Sequence, residues 1–286
     1  MPFTAKDLIS AVSDVVSLPD IAIRVNDMVE DPLCSLADIT TLISQDPGLT
    51  ARLLRIANSP FYGFPSRIDS VSRAITIIGM EDLRSLILAT SAIEVFSDFP
   101  NELVSMETFW RHSLRCAVIA RALARHLHKP NPERYFTAGL LHDIGYLIIY
   151  RELPEMASRT LSLSNQNREI VYIIEQEVMG FDHTDVGCEL LQHWNMPEHL
   201  VEAVRHHHTP NLAKDHPHDA CIVHIANYLA NTMLARVGGD LLETEALDVT
   251  TLQTLGLTPN TLQAIIREAD LQFNDTLEII VYDEVA

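Results

Sequence analysis

A histidine and an aspartate stand side by side in the apolar stretch AGLLHDIGYLII, as His142 and Asp143. An imidazole nitrogen beside a carboxylate oxygen suits a divalent transition metal such as Zn, Mn or Fe, and one carboxylate can bridge two ions. Burying either group without a partner costs roughly a few kcal/mol, so the pair requires a hydrogen bond or a metal. For the dipeptide alone, a hydrogen bond between the two side chains is the plainer explanation.

Further ligand-type residues follow along the chain, which has 13 histidines, six of them between residues 183 and 208. His183 begins one predicted helix, whereas His207 and His208 end another. His112 and Asn227 each lie on an apolar helix face. Each has an ordinary explanation as a surface residue, a cation at a helix C-terminus or an amide bonded to a backbone carbonyl. Their occurrence in order on successive helices favours one shared site.

The elements that must position these residues are helices, because the apolar periodicity is helical almost throughout and predicts an all-α protein. A capping box is predicted at residues 35–38, and Asp46 followed by Pro47 predicts a helix start. Ser70 predicts another start, and Gly79 predicts the end of that helix. Only the last ten residues, LEIIVYDEVA, are typical of a strand.

The helices that carry the candidate ligands lie in the second half of the chain. One long helix is predicted over residues 106–127, and the next over about residues 134–151, with His142 and Asp143 inside it. Ala138 and Gly139 are small enough to allow close packing one turn earlier. Residues 155–179 are predicted to form an exposed helical arm.

Length and composition describe an ordinary globular protein of one or two domains, with 286 residues, 47% hydrophobic and 21% charged. The pattern predicts an N-terminal helical lobe over residues 1–103. A core with the His/Asp cluster follows over residues 104–237, and a small C-terminal tail occupies residues 238–286.

The charge balance restricts the partners, since 39 acidic and 20 basic residues give a formal net charge of -19. A field of this sign repels phosphate backbones and anionic lipid, so neither a nucleic acid polymer nor a membrane is an expected partner. The N-terminus lacks the pattern of an export signal. Four separated cysteines without a CxxC pair indicate free thiols, and we therefore expect a cytoplasmic protein.

Several segments together resemble the HDOD family, the HD-related output domain of bacterial signalling proteins. They are FWRHSLRCAVIARALA, AGLLHDIGYLII, HTDVGCELLQHWNMPEHLVEAVRHHHTP and CIVHIANYLA, with an upstream stretch that includes LISQDPGLTARLLRIANSPFYG. The resemblance covers roughly residues 14–236. It implies an N-terminal helical bundle packed on an HD-type core, a bacterial cytoplasmic protein and a regulatory role, often without demonstrated catalysis.

The wider HD superfamily includes metal-dependent phosphohydrolases, and the resemblance carries their ligand set onto this chain. It assigns His112, His142 and Asp143 to one metal, with Asp143 bridging to a second metal at His183, His207 and His208. Asn227 stands where the family has a closing Asp, and an amide oxygen is a weaker, uncharged ligand. Two further departures are Tyr146, where active relatives often carry Lys, and the absence of Gly-Tyr-Pro after His208-Thr-Pro.

These features leave two main hypotheses and a third. The first is a regulatory module that binds a signalling protein, with the cleft structural or holding a metal. The second is a metal-dependent phosphohydrolase or phosphodiesterase acting on a (cyclic) nucleotide, and the third is a nucleotide sensor without turnover. The expected cofactor is one or two divalent ions of Fe, Mn, Zn or Ni.

A small phosphorylated ligand or cyclic dinucleotide would need local cations. The candidates are Arg52, Arg55, Arg67, Arg73 and Arg111, although exposed arginines paired with nearby acids are the alternative. Exposed aromatic residues at 61, 62 and 64 could contact a partner or pack the two lobes together.

Overall fold

The computed structural model describes residues 3–12, 16–59, 62, 64, 67–96, 103–167, 170–236, 247 and 249–277. Over these residues all regular secondary structure is helical, which confirms the predicted all-α class. The strand predicted at the C-terminus lies outside the described residues, except for Leu277, which ends the last helix.

The helices divide into two series along the chain. The first series comprises α1 (Ala5–Val12), α2 (Asp20–Glu30), α3 (Leu36–Ser44), α4 (Pro47–Ala57), α5 (Val71–Ile78) and α6 (Met80–Phe96). The second comprises α7 (Met106–His126), α8 (Pro132–Leu141), α9 (Ile144–Glu152), α10 (Pro154–Asn167), α11 (Val171–Met179), α12 (His183–His193), α13 (Glu198–His206), a 3-10 helix (Pro210–Leu212), α14 (Pro217–Arg236), α15 (Val249–Leu255) and α16 (Pro259–Leu277).

The caps predicted for the first series are confirmed. Ser35 and Asp38 form a reciprocal capping box at the start of α3. The Asp46 side chain accepts the Leu49 N–H at 2.9 Å, which satisfies a backbone donor of the first turn of α4. Gly79 ends α5 with a φ of 99°, a conformation that favours glycine.

Helix α7 is the centre of the second series, because α8, α14 and α16 all pack against it. The approach of α8 is close at Gly139, where an added Cβ would lie 2.8 Å from the Ala117 Cα. This confirms the expectation that a small residue permits tight packing one turn before His142.

The continuous helix predicted over residues 134–151 is wrong, because the chain turns at His142 and Asp143 and divides it into α8 and α9. Asp143 has φ -100° and ψ 8°, outside the helical range. Immediately afterwards Gly145 packs on α12, where an added Cβ would overlap the carbonyl oxygen of His183. The break depends on this tertiary contact, which helical periodicity does not reveal, and it turns two adjacent side chains toward one centre.

Two hydrogen bonds join the N-terminal helices to the end of α12. The Trp194 indole N–H donates to the Val16 carbonyl at 2.6 Å, and the Asn26 amide donates to the Asn195 carbonyl at 3.1 Å. The two series are thus in contact, while the domain boundaries at residues 103 and 237 stay a prediction.

The aromatic residues around position 62 were expected to be exposed, but those that the structure describes are partly buried. Tyr62 and Phe64 are half-buried against the core and stack with ring centroids 5.5 Å apart. The Arg121 guanidinium of α7 lies 5.1 Å from the Tyr62 ring centroid. These contacts support the alternative in which the segment packs the two parts of the molecule together, while residue 61 lies outside the described residues.

Candidate metal centre

Six of the seven predicted ligands lie in one cluster, in which five histidines surround Asp143. Their ligand atoms form two groups, and within each group all of these atoms lie within 4.8 Å of one another. The first group is His112, His142 and Asp143, and the second is Asp143, His183, His207 and His208. Helices α7 and α12, the turn between α8 and α9, and the two residues that follow α13 supply them.

The two carboxylate oxygens of Asp143 face different groups. Its Oδ2 lies 3.5 Å from the Nε2 of His112 and 3.1 Å from the Nε2 of His142. Its Oδ1 lies 3.5 Å from the Nε2 atoms of both His183 and His207. A single carboxylate therefore stands between two sets of imidazole nitrogens, one oxygen toward each.

Two backbone carbonyls determine which imidazole nitrogens carry protons in the neutral rings. The His142 Nδ1 lies 2.8 Å from the Gly139 carbonyl, and the His207 Nδ1 lies 2.8 Å from the Val204 carbonyl. A carbonyl oxygen only accepts, so each Nδ1 donates, and the Nε2 of the neutral ring carries a lone pair.

Those two Nε2 atoms are buried and have no partner of hydrogen-bond geometry among the described residues. Each faces Asp143, so lone pairs oppose a carboxylate unless a cation lies between them. Imidazole and carboxylate ligands suit a divalent transition metal. The donor set of His142, His207 and Asp143 fits such an ion.

The ionisation of Asp143, His112 and His207 suits the binding of a cation. Burial opposes the charge on Asp143, but its contacts with His142, His207 and His183 hold its pKa well below the usual range. Burial lowers the pKa values of His112 and His207 to about 4. Asp143 is thus anionic, and His112 and His207 are neutral at pH 7, as metal ligation requires.

Two imidazoles behave differently in the absence of an ion. Burial opposes a charge on His183, but the Glu175 carboxylate outweighs burial and raises the pKa of that ring. The same direction holds for His142. Burial alone would lower its pKa, but the adjacent Asp143 carboxylate outweighs burial and raises that pKa well above the usual value. A proton on His142 and a metal ion are therefore alternative ways to compensate the same buried carboxylate.

Asn227, the seventh predicted ligand, is a buried residue of α14 that interacts with the His112 side chain. Its amide oxygen accepts the Asn231 amide N–H at 3.0 Å. The residue thus lies beside the first group, and one of the two lone pairs of its ligand-type oxygen accepts a hydrogen bond.

Glu175 is not among the predicted site residues, and it belongs to the segment predicted to be an exposed arm. That prediction is wrong for α11, where Glu175 is buried, with 1% of its surface exposed. Its Oε2 lies 3.0 Å from the His183 backbone N and 2.7 Å from the His183 Nδ1. A signal was present, since Glu175 occupies the i+4 position of an apolar stripe with Val171, Ile174 and Val178.

Aromatic rings cover two imidazoles of the second group. Tyr146 stacks on His183 with centroids 3.8 Å apart at 15°, and Tyr172 stacks on His208 with centroids 4.4 Å apart at 15°. Tyr146, the departure noted in the sequence analysis, thus places a neutral ring on the candidate ligand His183.

The arginines proposed as phosphate contacts are mostly engaged elsewhere. Arg52 pairs with Glu94 at 3.1 Å, Arg73 lies 3.9 Å from Asp69, and Arg111 lies 4.0 Å from Glu107. Arg55 and Arg67 line an open surface groove between α4 and the segment that precedes α5. These positions agree with the alternative that they are surface arginines near acids.

A model of the HDOD domain family matches residues 15–210. The chain belongs to the HDOD family. A candidate phosphohydrolase from Shewanella amazonensis SB2B has a similar structure, with 25% identity, a TM-score of 0.74 and 99% of each chain covered. That similarity extends over the helices that carry both ligand groups.

Two curated relatives match over part of their length. An uncharacterized protein from Treponema pallidum is 26% identical over 205 residues, 71% of this chain and 39% of the relative. The cyclic di-GMP phosphodiesterase CdgJ from Vibrio cholerae is 24% identical over 200 residues, 61% of this chain and 45% of the relative. The chain thus spans less than half the length of these relatives.

Among the described helices, none has the length and apolar character needed to cross a bilayer.

Proposed function

We propose that this chain is a metal-binding regulatory module of bacterial signal transduction, which acts by binding another protein in the cytoplasm. The observation that carries the metal-binding part is the convergence on Asp143 of buried Nε2 atoms whose Nδ1 atoms already donate to backbone carbonyls. Such nitrogens have no role left except to accept a proton or to ligate a cation.

The second ligand group is the better site for one divalent ion. It combines three imidazoles with a carboxylate, which gives four potential ligands for Fe, Mn, Zn or Ni. The first group has two imidazoles and the same carboxylate, and the Asn227 oxygen beside it is hydrogen-bonded. We therefore expect one firmly held ion and a second that binds more weakly.

Regulation is favoured over turnover by the surroundings of the cluster. Tyr146 packs on His183 in the place of a substrate-binding Lys, and the chain lacks the Gly-Tyr-Pro segment. The protein is strongly acidic, and the arginines named for phosphate are engaged or lie on the surface. A phosphorylated substrate would thus be held mainly by the ions themselves.

A second function, a metal-dependent phosphohydrolase acting on a cyclic nucleotide, is favoured by the position of Asp143. Its two oxygens face the two groups separately, as a carboxylate that bridges a pair of ions does. Bound divalent ions would supply Lewis-acid stabilisation of phosphoryl oxygens. The relative CdgJ is named as a cyclic di-GMP phosphodiesterase, which makes cyclic di-GMP the first substrate to test.

The deciding experiment is elemental analysis of untagged protein purified without chelator. Wild type is compared with the His142→Ala, Asp143→Ala double variant, and with His193→Ala, which removes an exposed histidine outside the cluster. We expect metal in wild type and in His193→Ala, and none in the double variant. Wild type without metal would contradict the phosphohydrolase and the metal-binding part of the regulatory proposal.

If metal is present, assays with cyclic di-GMP and an aryl phosphodiester separate the two functions. Product release that disappears in the double variant supports the phosphohydrolase. Metal without turnover supports the regulatory module, and binding of cyclic di-GMP without turnover identifies a nucleotide sensor.

A further inference from the structure

We infer that helix α11 positions the second ligand group, and that Glu175 is the positioning residue that keeps a lone pair, and not a proton, on the His183 Nε2. The consequence for metal affinity rests on the proposed metal-binding function. The effect on the proton of His183 does not, because it follows from hydrogen bonds of the protein alone.

The direction of the hydrogen bonds at Glu175 follows from the backbone. Its Oε2 lies 3.0 Å from the His183 backbone N–H, which can only donate, so this oxygen acts as an acceptor. The same oxygen lies 2.7 Å from the His183 Nδ1. The consistent arrangement is two donors on one carboxylate oxygen, with the ring proton on Nδ1.

With the proton on Nδ1, the neutral ring of His183 carries its lone pair on Nε2. That atom lies 3.5 Å from the Asp143 Oδ1 and 3.1 Å from the His208 Nε2, which donates its proton to it in the metal-free protein and would give up that proton when both nitrogens ligate an ion. In the other tautomer an Nε2–H would occupy this space and exclude an ion. Glu175 therefore selects the tautomer that can ligate.

Glu175 also restrains the orientation of the ring. His183 is the first residue of α12, where backbone N–H groups have no acceptor within the helix. One carboxylate oxygen thus holds both the main chain and the ring of His183, while Tyr146 stacks on the ring face. Rotation of the imidazole away from Asp143 would break the bond to Nδ1.

A second contact makes the whole of α11 a positioning element. Tyr172 precedes Glu175 by three residues, so the two side chains lie on the same helical face. Tyr172 stacks on His208. One helix therefore contacts two of the three imidazoles of the second group, His183 through its edge and His208 through its face.

Helix α11 also provides a matched control, since Glu177 lies two residues from Glu175 and is exposed. The substitutions Glu175→Ala and Glu175→Gln are compared with Glu177→Gln. Gln is nearly isosteric, and its amide oxygen can still accept a hydrogen bond from His183. Glu175→Gln therefore removes the charge while it keeps the side-chain volume and one acceptor. Far-UV circular dichroism and thermal unfolding establish that each variant is folded.

The first measurement uses the metal-free protein with ¹⁵N-labelled histidine, at alkaline pH, where the rings are neutral. Long-range ¹H–¹⁵N spectra report the tautomer, and the His183 signals are assigned by their loss in His183→Gln. We expect the Nδ1–H form in wild type and in Glu177→Gln, a mixture in Glu175→Ala, and partial retention in Glu175→Gln. An Nε2–H form in wild type, or no change in Glu175→Ala, would overturn the inference.

The second measurement is Co²⁺ titration against a competing chelator, followed by the visible absorption of the bound ion. We expect Glu175→Ala to weaken the tighter ion by roughly 10- to 100-fold, as for other residues that orient metal ligands, with a smaller loss in Glu175→Gln and none in Glu177→Gln. A folded Glu175→Ala with wild-type affinity and spectrum would overturn the inference. If wild type takes up no Co²⁺, the proposed function fails, while the tautomer measurement still decides the role of Glu175.

Discussion

The two ligand groups share Asp143, but they differ in what surrounds the ligands. In the second group the His183 Nδ1 faces the Glu175 carboxylate, and the His207 Nδ1 faces the Val204 carbonyl. Stacked tyrosine rings hold two of the three imidazoles from the side. Every ring in this group is therefore held at an edge or a face.

The first group has less support. The Gly139 carbonyl orients His142, but the Asn227 oxygen that would complete the group is bonded to Asn231. We therefore expect the two groups to differ as metal sites, although both have residues of ligand type. The partners of the ligands create the difference, and they act through the proton position and the orientation of each ring.

The largest expected effect concerns Gly145 and Gly139, the two glycines that pack tightly near the ligand groups. In Gly145→Ala the new Cβ would overlap the His183 carbonyl, so we expect a loss of about 3 kcal/mol in the free energy of unfolding and loss of the tighter ion. In Gly139→Ala the contact with Ala117 is less severe, and we expect about 1–2 kcal/mol. Urea unfolding of the metal-free variants measures both. An equal cost in Gly139→Ala would contradict the comparison.

Removal of one imidazole from each group tests directly whether the two groups differ in metal affinity. We expect His207→Ala to weaken the tighter ion by more than about 100-fold, because it removes a ligand and not only its support. His112→Ala should leave that ion bound and affect only the weaker one. Calorimetric titration of metal-free protein with Zn²⁺ distinguishes the two ions. The comparison fails if His112→Ala weakens the tighter ion as much as His207→Ala does.

The first group should bind its ion more tightly when a carboxylate is restored at position 227. We expect Asn227→Asp to strengthen the weaker ion roughly tenfold, because a charged oxygen replaces an amide beside His112. The control is Asn211→Asp, which adds the same charge at an exposed position. Metal stoichiometry after dialysis against a weak chelator gives the result. An equal gain in the control would assign the effect to net charge alone.

The smallest expected effect concerns the ring that covers His183. Tyr146→Ala removes a stacked contact worth about 1 kcal/mol, so the tighter ion should bind roughly fivefold more weakly. Tyr146→Phe keeps the ring and should retain wild-type affinity. Co²⁺ titration measures both variants. A loss in Tyr146→Phe equal to that in Tyr146→Ala would show that the hydroxyl, not the stacked ring, matters.

The local elements could be predicted because their signals lie within a few residues. The capping box at Ser35, the start at Asp46 and the end at Gly79 each depend on hydrogen bonds or φ angles inside one turn. The break at His142 and Asp143 could not, because α12 packs there from forty residues away in the chain. The buried position of Glu175 was missed for the same reason, although its place on an apolar stripe was a signal.

The sequence by itself determined the helical class, the family and the seven residues that could form a site, because periodicity, capping and motif order are local and ordered along the chain. Only the tertiary structure decided that five of them surround Asp143, that each carboxylate oxygen faces its own group, and that α11 contacts the second group. Those facts depend on distances between helices, and these distances are set by side-chain packing and by glycine contacts far apart in sequence.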